Sequence, residues 1–267
     1  MRNDLLNRSY SALLAGAKDA HPSVQYDKDG FAQTWNDNLI NGLPLAILAQ
    51  DFKSGAGNEL DRKLCAAHSS AALAVNTFGN WRINPSSLDF HGIKGFSSLR
   101  YEVQYQTGLS GTAPHLDVVA EGNLPIAIES KCTEWITQKP ASFSASYDNL
   151  QPIFGHSPWF EQMQQLRAEP NRYKFLDAAQ LVKHAFGLLN RYGTGEVWLV
   201  YLYWEPRNKW PECVQHRKEA DDLANKVAGS PVRLIPMSYR ELWNEWELIS
   251  PPPPQMQYLR LRYDRDV

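Results

Sequence analysis

The residues with the most chemistry to offer lie in one stretch, His115 to Lys131, where Asp117, Glu129 and Lys131 stand among apolar neighbours. Gly122-Asn123, between two strand-like runs, signals a β-hairpin. With Gly122 to Leu124 as the loop, Glu121 faces Pro125, facing positions sum to 246, and Asp117 lies opposite Glu129. Facing side chains hold their Cβ atoms about 4.5–5.5 Å apart, where like charges repel. A divalent cation turns that repulsion into attraction, and Mg²⁺ favours one or two carboxylates with water and phosphate oxygens. Alternation puts Ala127, Glu129 and Lys131 on one face, and Ile126, Ile128 and Ser130 on the other, towards the core. Lys131 then stands beside the cation. An ammonium there can orient an attacking water, help deprotonate it, or steady charge developing on a phosphate. The set suits metal-assisted phosphodiester hydrolysis. A solvated Glu–Lys pair at a sheet edge fits the bare pattern as well. Acid-x-Lys triplets are common, and the chain has two decoys without a facing acid: Asp51-Phe52-Lys53, read as loop, and Asp61-Arg62-Lys63, read as helix.

Other elements must hold these groups in place. Asn58 can cap a helix over 58–78, with Leu60, Leu64, Ala67, Ala71 and Phe78 on its buried face. Strands are expected at 99–106, 116–120 and 126–132, then an irregular or broken-helix stretch over 133–170 that contains Pro140, Pro152 and Pro158. A helix over 177–190 ends at Gly193 and Gly195, and 197–204 is an apolar strand suited to a sheet covered on both faces. A helix over 212–227, a strand over 232–236 and a helix over 239–246 follow. Pro251 to Pro254 reads as a stiff spacer, and 258–263 alternates as a strand. The order describes an α/β fold with a mixed β-sheet flanked by helices. No boundary divides the chain, so a single domain over 1–267 is expected, with its core at about 58–204, a helical segment 1–50 before it and an extension 205–267 packed on it.

Asp117, eleven intervening residues, then Glu129-Ser130-Lys131 on the next strand resembles the PD-(D/E)XK nuclease superfamily, the restriction-endonuclease-like fold. That core is a helix, a three-stranded meander, a helix and a strand, and the order matches from about 58 to 204. The resemblance implies Asp117 and Glu129 as metal ligands, the Ser130 backbone carbonyl as a third, and Lys131 as the catalytic lysine. It also implies an acid on the first helix, a place Glu59 occupies, although an acid there equally complements the helix dipole. RecB-like members carry a glutamine and an aromatic four residues apart on the second core helix; Gln180 and His184 have that spacing, with histidine in place of tyrosine. Leu116 precedes Asp117 where the signature has proline, and Pro114 lies three positions before the aspartate. The implied function is a Mg²⁺-dependent nuclease, with Mn²⁺ as a substitute, acting on DNA in restriction, phage defence or repair. A catalytically silent binding or assembly subunit and an RNA-cleaving enzyme are the alternatives, and an aromatic-rich ligand-binding protein is a third. His115, His184 and Lys183 are candidate substrate contacts. A homodimer or a defence-system partner protein is the expected company.

Composition narrows the field further. The formal charge is −2, so any nucleic-acid surface must be a local basic face, for which Lys139, Arg167, Arg172, Lys174, Lys183 and Arg191 are candidates. With 43% hydrophobic and 21% charged residues the chain is a folded globular protein. It has no apolar run of membrane-spanning length and no signal-peptide pattern, and the scattered Cys65, Cys132 and Cys213 suit a reducing compartment, so a cytoplasmic protein without membrane contact is expected. Asp27-Lys28-Asp29-Gly30 lacks calcium-loop spacing and reads as a turn. Of nine tryptophans, Trp198, Trp204, Trp243 and Trp246 fit the core, while Trp135 and Trp159 are placed to stack on unpaired bases.

Overall fold

The computed structural model describes residues 2–55, 60, 62–111, 113–137 and 139–267, with the side chain of Arg2 excepted. Asn58, Glu59 and Asp61 lie outside them. A five-stranded sheet runs in chain order: β1 (Ser98–Gln104), β2 (His115–Glu121), β3 (Ile126–Lys131), β4 (Val197–Tyr203) and β5 (Val232–Ser238). The first three strands form an antiparallel meander, and β4 and β5 join parallel to β3. The helices are α1 (Arg2–Ala20), α2 (Leu45–Ser54), α3 (Ser70–Phe78), α4 (Gln151–Phe154), α5 (Pro158–Ala168), α6 (Ala178–Tyr192), α7 (Pro211–Lys226), α8 (Tyr239–Glu247) and α9 (Met256–Tyr263). This is the α/β fold with a mixed, helix-flanked sheet that the sequence leads one to expect.

Both faces of the sheet are core. Val118, Ala120, Ile126, Ile128, Val200 and Leu202 pack with α2, α3, α8 and α9 on one side. Val119, Ala127, Leu199, Tyr201 and Tyr203 pack with α5, α6 and α7 on the other. The face that carries Glu129 and Lys131 is therefore buried too, beside the Ile126–Ile128–Ser130 face that alternation assigns to the core, as a sheet covered on both faces requires. A sheet with helices on both sides leaves its strand ends as the natural place for an opening.

Three local expectations fail for physical reasons. The helix expected over 58–78 is a short 3-10 turn at Lys63–Cys65 and then α3, which starts only at Ser70. The backbone of 65–67 instead pairs with 30–32, through Ala32 N to Cys65 O at 2.9 Å and Ala67 N to Gly30 O at 2.9 Å, and Ser69 caps α3 by accepting the Ala72 N–H at 3.1 Å. Asp51 and Phe52, read as loop, belong to α2; Asp51 is buried and takes Arg82 through two bonds of 2.6 and 2.9 Å. The strand expected over 258–263 is α9. Its alternation misleads because Arg262 is inside, 0% exposed, while Leu261 is 46% exposed; the buried set Met256, Leu259, Arg262 and Tyr263 has helical spacing. The segment after the prolines packs on α1. The turn at Asp27 is as expected, with its Oδ1 accepting the Asp29 and Phe31 N–H groups at 2.9 Å each.

The Arg262 guanidinium donates to Asn38 Oδ1 and, at 2.8 Å, to the Tyr258 hydroxyl, which tethers the C-terminal helix to the N-terminal third of the chain. Its backbone carbonyl presses on α1: a Cβ at Gly16 would sit 2.0 Å from Arg262 O. Arg262→Ala should cost about 1.5–3 kcal/mol, the worth of hydrogen bonds to a charged group. At roughly 2–4 °C per kcal/mol that is a readable drop in melting temperature. Gly16→Ala should lower it as well. Unchanged melting in both variants would mean that α9 does not dock as described.

Candidate active site

The site grows out of the β2–β3 hairpin. Its register is Val118↔Ile128, Val119↔Ala127 and Ala120↔Ile126, each pair summing to 246 as the turn implies. Ladder pairing stops one step before Asp117 and Glu129. There the Asp117 carboxylate replaces the ladder, with Oδ2 accepting the Ser130 N–H at 2.6 Å.

A matching interruption lies in β1. Its register against β2 sums to 219, so Glu102 stands opposite Asp117, and Glu102 has a positive φ of 52°. A non-glycine residue held in that region is strained by about 1–3 kcal/mol. The kink reverses the side-chain parity of both strands. Leu99 and Tyr101 pack on the α3 side of the sheet, whereas Val103 and its partner Leu116 pack on the α6 side. Glu102 reaches the cleft by this means, 3.1 Å from His115 Nδ1. Sequence reasoning missed it because residues 99–106 alternate apolar and polar without a break; only the β1–β2 register sets Glu102 opposite Asp117.

The groups converge on a cleft of about 640 Å³, lined by Glu102, His115, Asp117, Glu129, Lys131 and Gln180 among others. Glu129 is 2% exposed. Its Oε1 lies 2.6 Å from Lys131 Nζ, and its Oε2 lies 2.8 Å from His184 Nε2. Lys131 also donates to Gln180 Oε1 at 2.8 Å. Gln180 and His184 are delivered by α6, whose start is fixed by Asp177 accepting the Gln180 N–H at 3.0 Å. The approach to α6 is held by Glu219 of α7, which accepts the N–H groups of Lys174, Phe175 and Leu176 at 2.8–3.1 Å.

Charge in the cleft is unevenly settled. Burial works against the Glu129 carboxylate, but Lys131 and then His184 outweigh it and hold its pKa down at about 2. Burial also works against the Lys131 ammonium, yet Glu129, Glu134 and Asp117 outweigh it and keep it protonated far above neutral pH. Asp117 goes the other way: burial first, then the Glu129 charge, push its pKa well above the usual carboxylate range, and Glu102 adds to the push. A buried acid beside other acids, which favours a proton over bare charge, is a place where a cation can substitute. Among the described residues no three His, Cys, Asp or Glu side chains converge as a complete metal cage. That donor set fits Mg²⁺, which uses one or two carboxylates and fills its remaining positions with water and phosphate oxygens.

Asp117, Glu129, Lys131, Gln180 and His115 therefore meet at one cleft, and Glu59 lies outside the described residues. Ser130 contributes its backbone N–H to Asp117, while its hydroxyl turns to the opposite core and meets Tyr239 at 2.7 Å. Three expected contacts are corrected. His184 is 2% exposed and holds Glu129, so it does not face substrate. Lys183 lies over the Phe143 ring at 5.3 Å, on the next face of α6 rather than in the cleft lining. Trp135 and Trp159 are both 0% exposed and cannot stack on bases; their indole N–H groups bond the carbonyls of Trp204 and Val232. Of the supposed basic face, Arg167 and Arg172 are engaged by Asp148 and Glu169.

The profile of a family described as restriction endonuclease associating with ARP matches residues 14–264. Neither the comparison with curated proteins nor that with solved structures gives a significant match. No helix among the described residues is long and apolar enough to cross a membrane.

The repulsion at Asp117 has a measurable sign. A carboxyl whose folded pKa is raised favours folding fully only below its unfolded value of about 3.9, and that contribution is lost as pH rises through the folded pKa. At pH 7–8 without metal, Asp117→Asn should melt higher than the unchanged protein, by about 2–4 °C for each kcal/mol of repulsion removed. The gap should close as the pH falls towards 4. Thermal melts across that range check it, and a lower melting temperature for the variant at pH 8 would contradict the electrostatic picture.

Proposed function

This chain belongs to the family of restriction endonucleases associating with ARP, and on that footing we propose that it is a Mg²⁺-dependent nuclease that hydrolyses phosphodiester bonds in DNA. The observation that carries this reading is the meeting of Asp117, Glu129 and Lys131 at one solvent-reached cleft, from adjoining strands in the register the hairpin imposes. Asp117 and Glu129 would hold the cation, with the Ser130 carbonyl as a third protein ligand, and Mn²⁺ could take its place. When bound, the ion would lower the pKa of a coordinated water and polarise the scissile phosphate.

The chain's own groups divide the remaining work. Lys131, fixed as an ammonium between Glu129 and Gln180, supplies positive charge where the phosphorane oxygens become negative, and it orients the attacking water. Glu129, Glu134 and Asp117 favour its protonated form, which suits a role through charge and hydrogen bonding. Gln180 holds that ammonium in line. His184 anchors the far oxygen of Glu129, so the carboxylate stays aimed at the cleft when Lys131 turns to a phosphate. His115, paired with Glu102 at the rim, is placed to meet a flanking phosphate.

By the description of its family, the protein would work in association with ARP, and a second copy of the chain would serve a cut in both strands of a duplex. Three buried, scattered cysteines suit a reducing cytoplasm, and defence against foreign DNA is the role that fits a restriction-type enzyme.

Cleavage assays with plasmid, single-stranded DNA and RNA test the proposal. Breakage should need Mg²⁺ or Mn²⁺, stop with chelator, and fall by at least about 10²-fold in Lys131→Ala and in Asp117→Ala, with circular dichroism unchanged. Undiminished activity in both variants would remove the nuclease reading of this cleft. Cleavage of RNA alone would replace DNA as the substrate.

A further inference from the structure

A second cavity, of about 600 Å³, opens beside the cleft and shares Lys63, Ser70, Ala71, Lys131 and Glu134 with it. That volume lies within the roughly 300–1,000 Å³ of small-ligand sites. Its outer wall is aromatic. Tyr10 of α1 lies on His68 with ring centroids 4.0 Å apart at 30°, and Phe31 meets His68 edge-on at 6.2 Å. Tyr10 is 37% exposed, so this cluster is not closed core: it offers ring surface to whatever enters.

Charge around the cavity favours an anion. Arg62, Lys63, Lys131 and Lys139 line it against two acids, Glu134 and Asp177. Lys131 is already paired with Glu129, so three further cations face these two acids, whose carboxylates accept the Cys132 N–H at 2.7 Å and the Gln180 N–H at 3.0 Å. The Arg62 guanidinium lies 5.0 Å over Phe31, which places a cation at the edge of the aromatic wall. Flat apolar surface rimmed by cations, one step from the lysine that faces the scissile phosphate, matches a planar base carried on a phosphate chain.

We propose that this cavity binds an unstacked nucleobase of the DNA strand being cut, next to the scissile phosphate. The inference rests on the nuclease reading and deepens it. A base can enter only when it leaves its neighbours, so the enzyme engages single-stranded DNA, or extrudes one nucleotide from a duplex, before cleavage. Tyr10, Phe31 and His68 are the stacking surfaces, and Arg62 and Lys63 hold the adjoining phosphates.

The full-length protein, in chelator and in parallel with Ca²⁺, is photocrosslinked to short single-stranded oligodeoxynucleotides that carry one 5-iodo-deoxyuridine at successive positions. The crosslinked peptide is then mapped by mass spectrometry, with an oligoribonucleotide series alongside. Crosslinks from a defined position should fall on Tyr10, Phe31 or His68. By fluorescence anisotropy, Tyr10→Ala should weaken binding roughly 5- to 150-fold, the loss of one stacking platform, and Tyr10→Phe should stay within about twofold. Crosslinks mapping elsewhere, with Tyr10→Ala binding unchanged, would overturn the base site and leave the nuclease reading standing. Failure to bind either nucleic acid would overturn both. Crosslinking to RNA alone would keep the cavity as a base site and overturn DNA as its ligand.

Discussion

Glu129 is a carboxylate with almost no contact with water, and an ion so placed costs several kcal/mol unless other groups compensate it. Two cations or donors do so, one on each oxygen: Lys131 two residues along the same strand, and His184 from the helix packed over it. Much of the surrounding architecture can be understood as what it takes to keep that arrangement. Strand alternation brings Lys131 to the same side as Glu129, and α6 must lie on that face to bring His184 and Gln180. Asp177 and Glu219 fix where α6 begins by taking up backbone N–H groups that would otherwise be left unpaired.

A second constraint opposes the first. Glu129 is satisfied, whereas Asp117 and Glu102 bring further acid to the same cleft, and Glu102 does so from a strained backbone. Strain and like-charge crowding both cost stability, and a fold keeps them where they are repaid by something that binds. The β1–β2 ladder skips the Glu102–Asp117 pair and resumes at Val103 and Leu116, and β2–β3 pairing stops at Val118 and Ile128, so the acids stand where pairing is interrupted on both sides of β2.

The sequence made the hairpin legible because two independent signals agreed: a Gly-Asn turn and apolar runs of matching phase on either side of it. Register followed from loop length, and with it the approach of Asp117 to Glu129-Ser130-Lys131. The helix at 177–190 was legible from its apolar spacing and the glycines that end it, and its Gln180–His184 spacing carried both residues to the site. The α9 segment was misread because a buried arginine inverts the usual inside–outside rule. The start of α3 was misread because pairing of 65–67 with 30–32 is a long-range contact that no local pattern reports. Glu102 went unseen because alternation assumes an unbroken strand, and its positive φ breaks that assumption. Trp135 and Trp159 show that a polar neighbourhood in sequence says little about burial.

The most direct test of the account is to locate a cation. Crystals of the protein soaked in Mn²⁺ and measured at an anomalous wavelength should show a peak bonded at about 2.1 Å to carboxylate oxygens of both Asp117 and Glu129, with Lys131 in the cleft and His184 still on Glu129. A protein saturated with Mn²⁺ at other sites, with those two carboxylates unmetallated and Asp117 protonated, would contradict it.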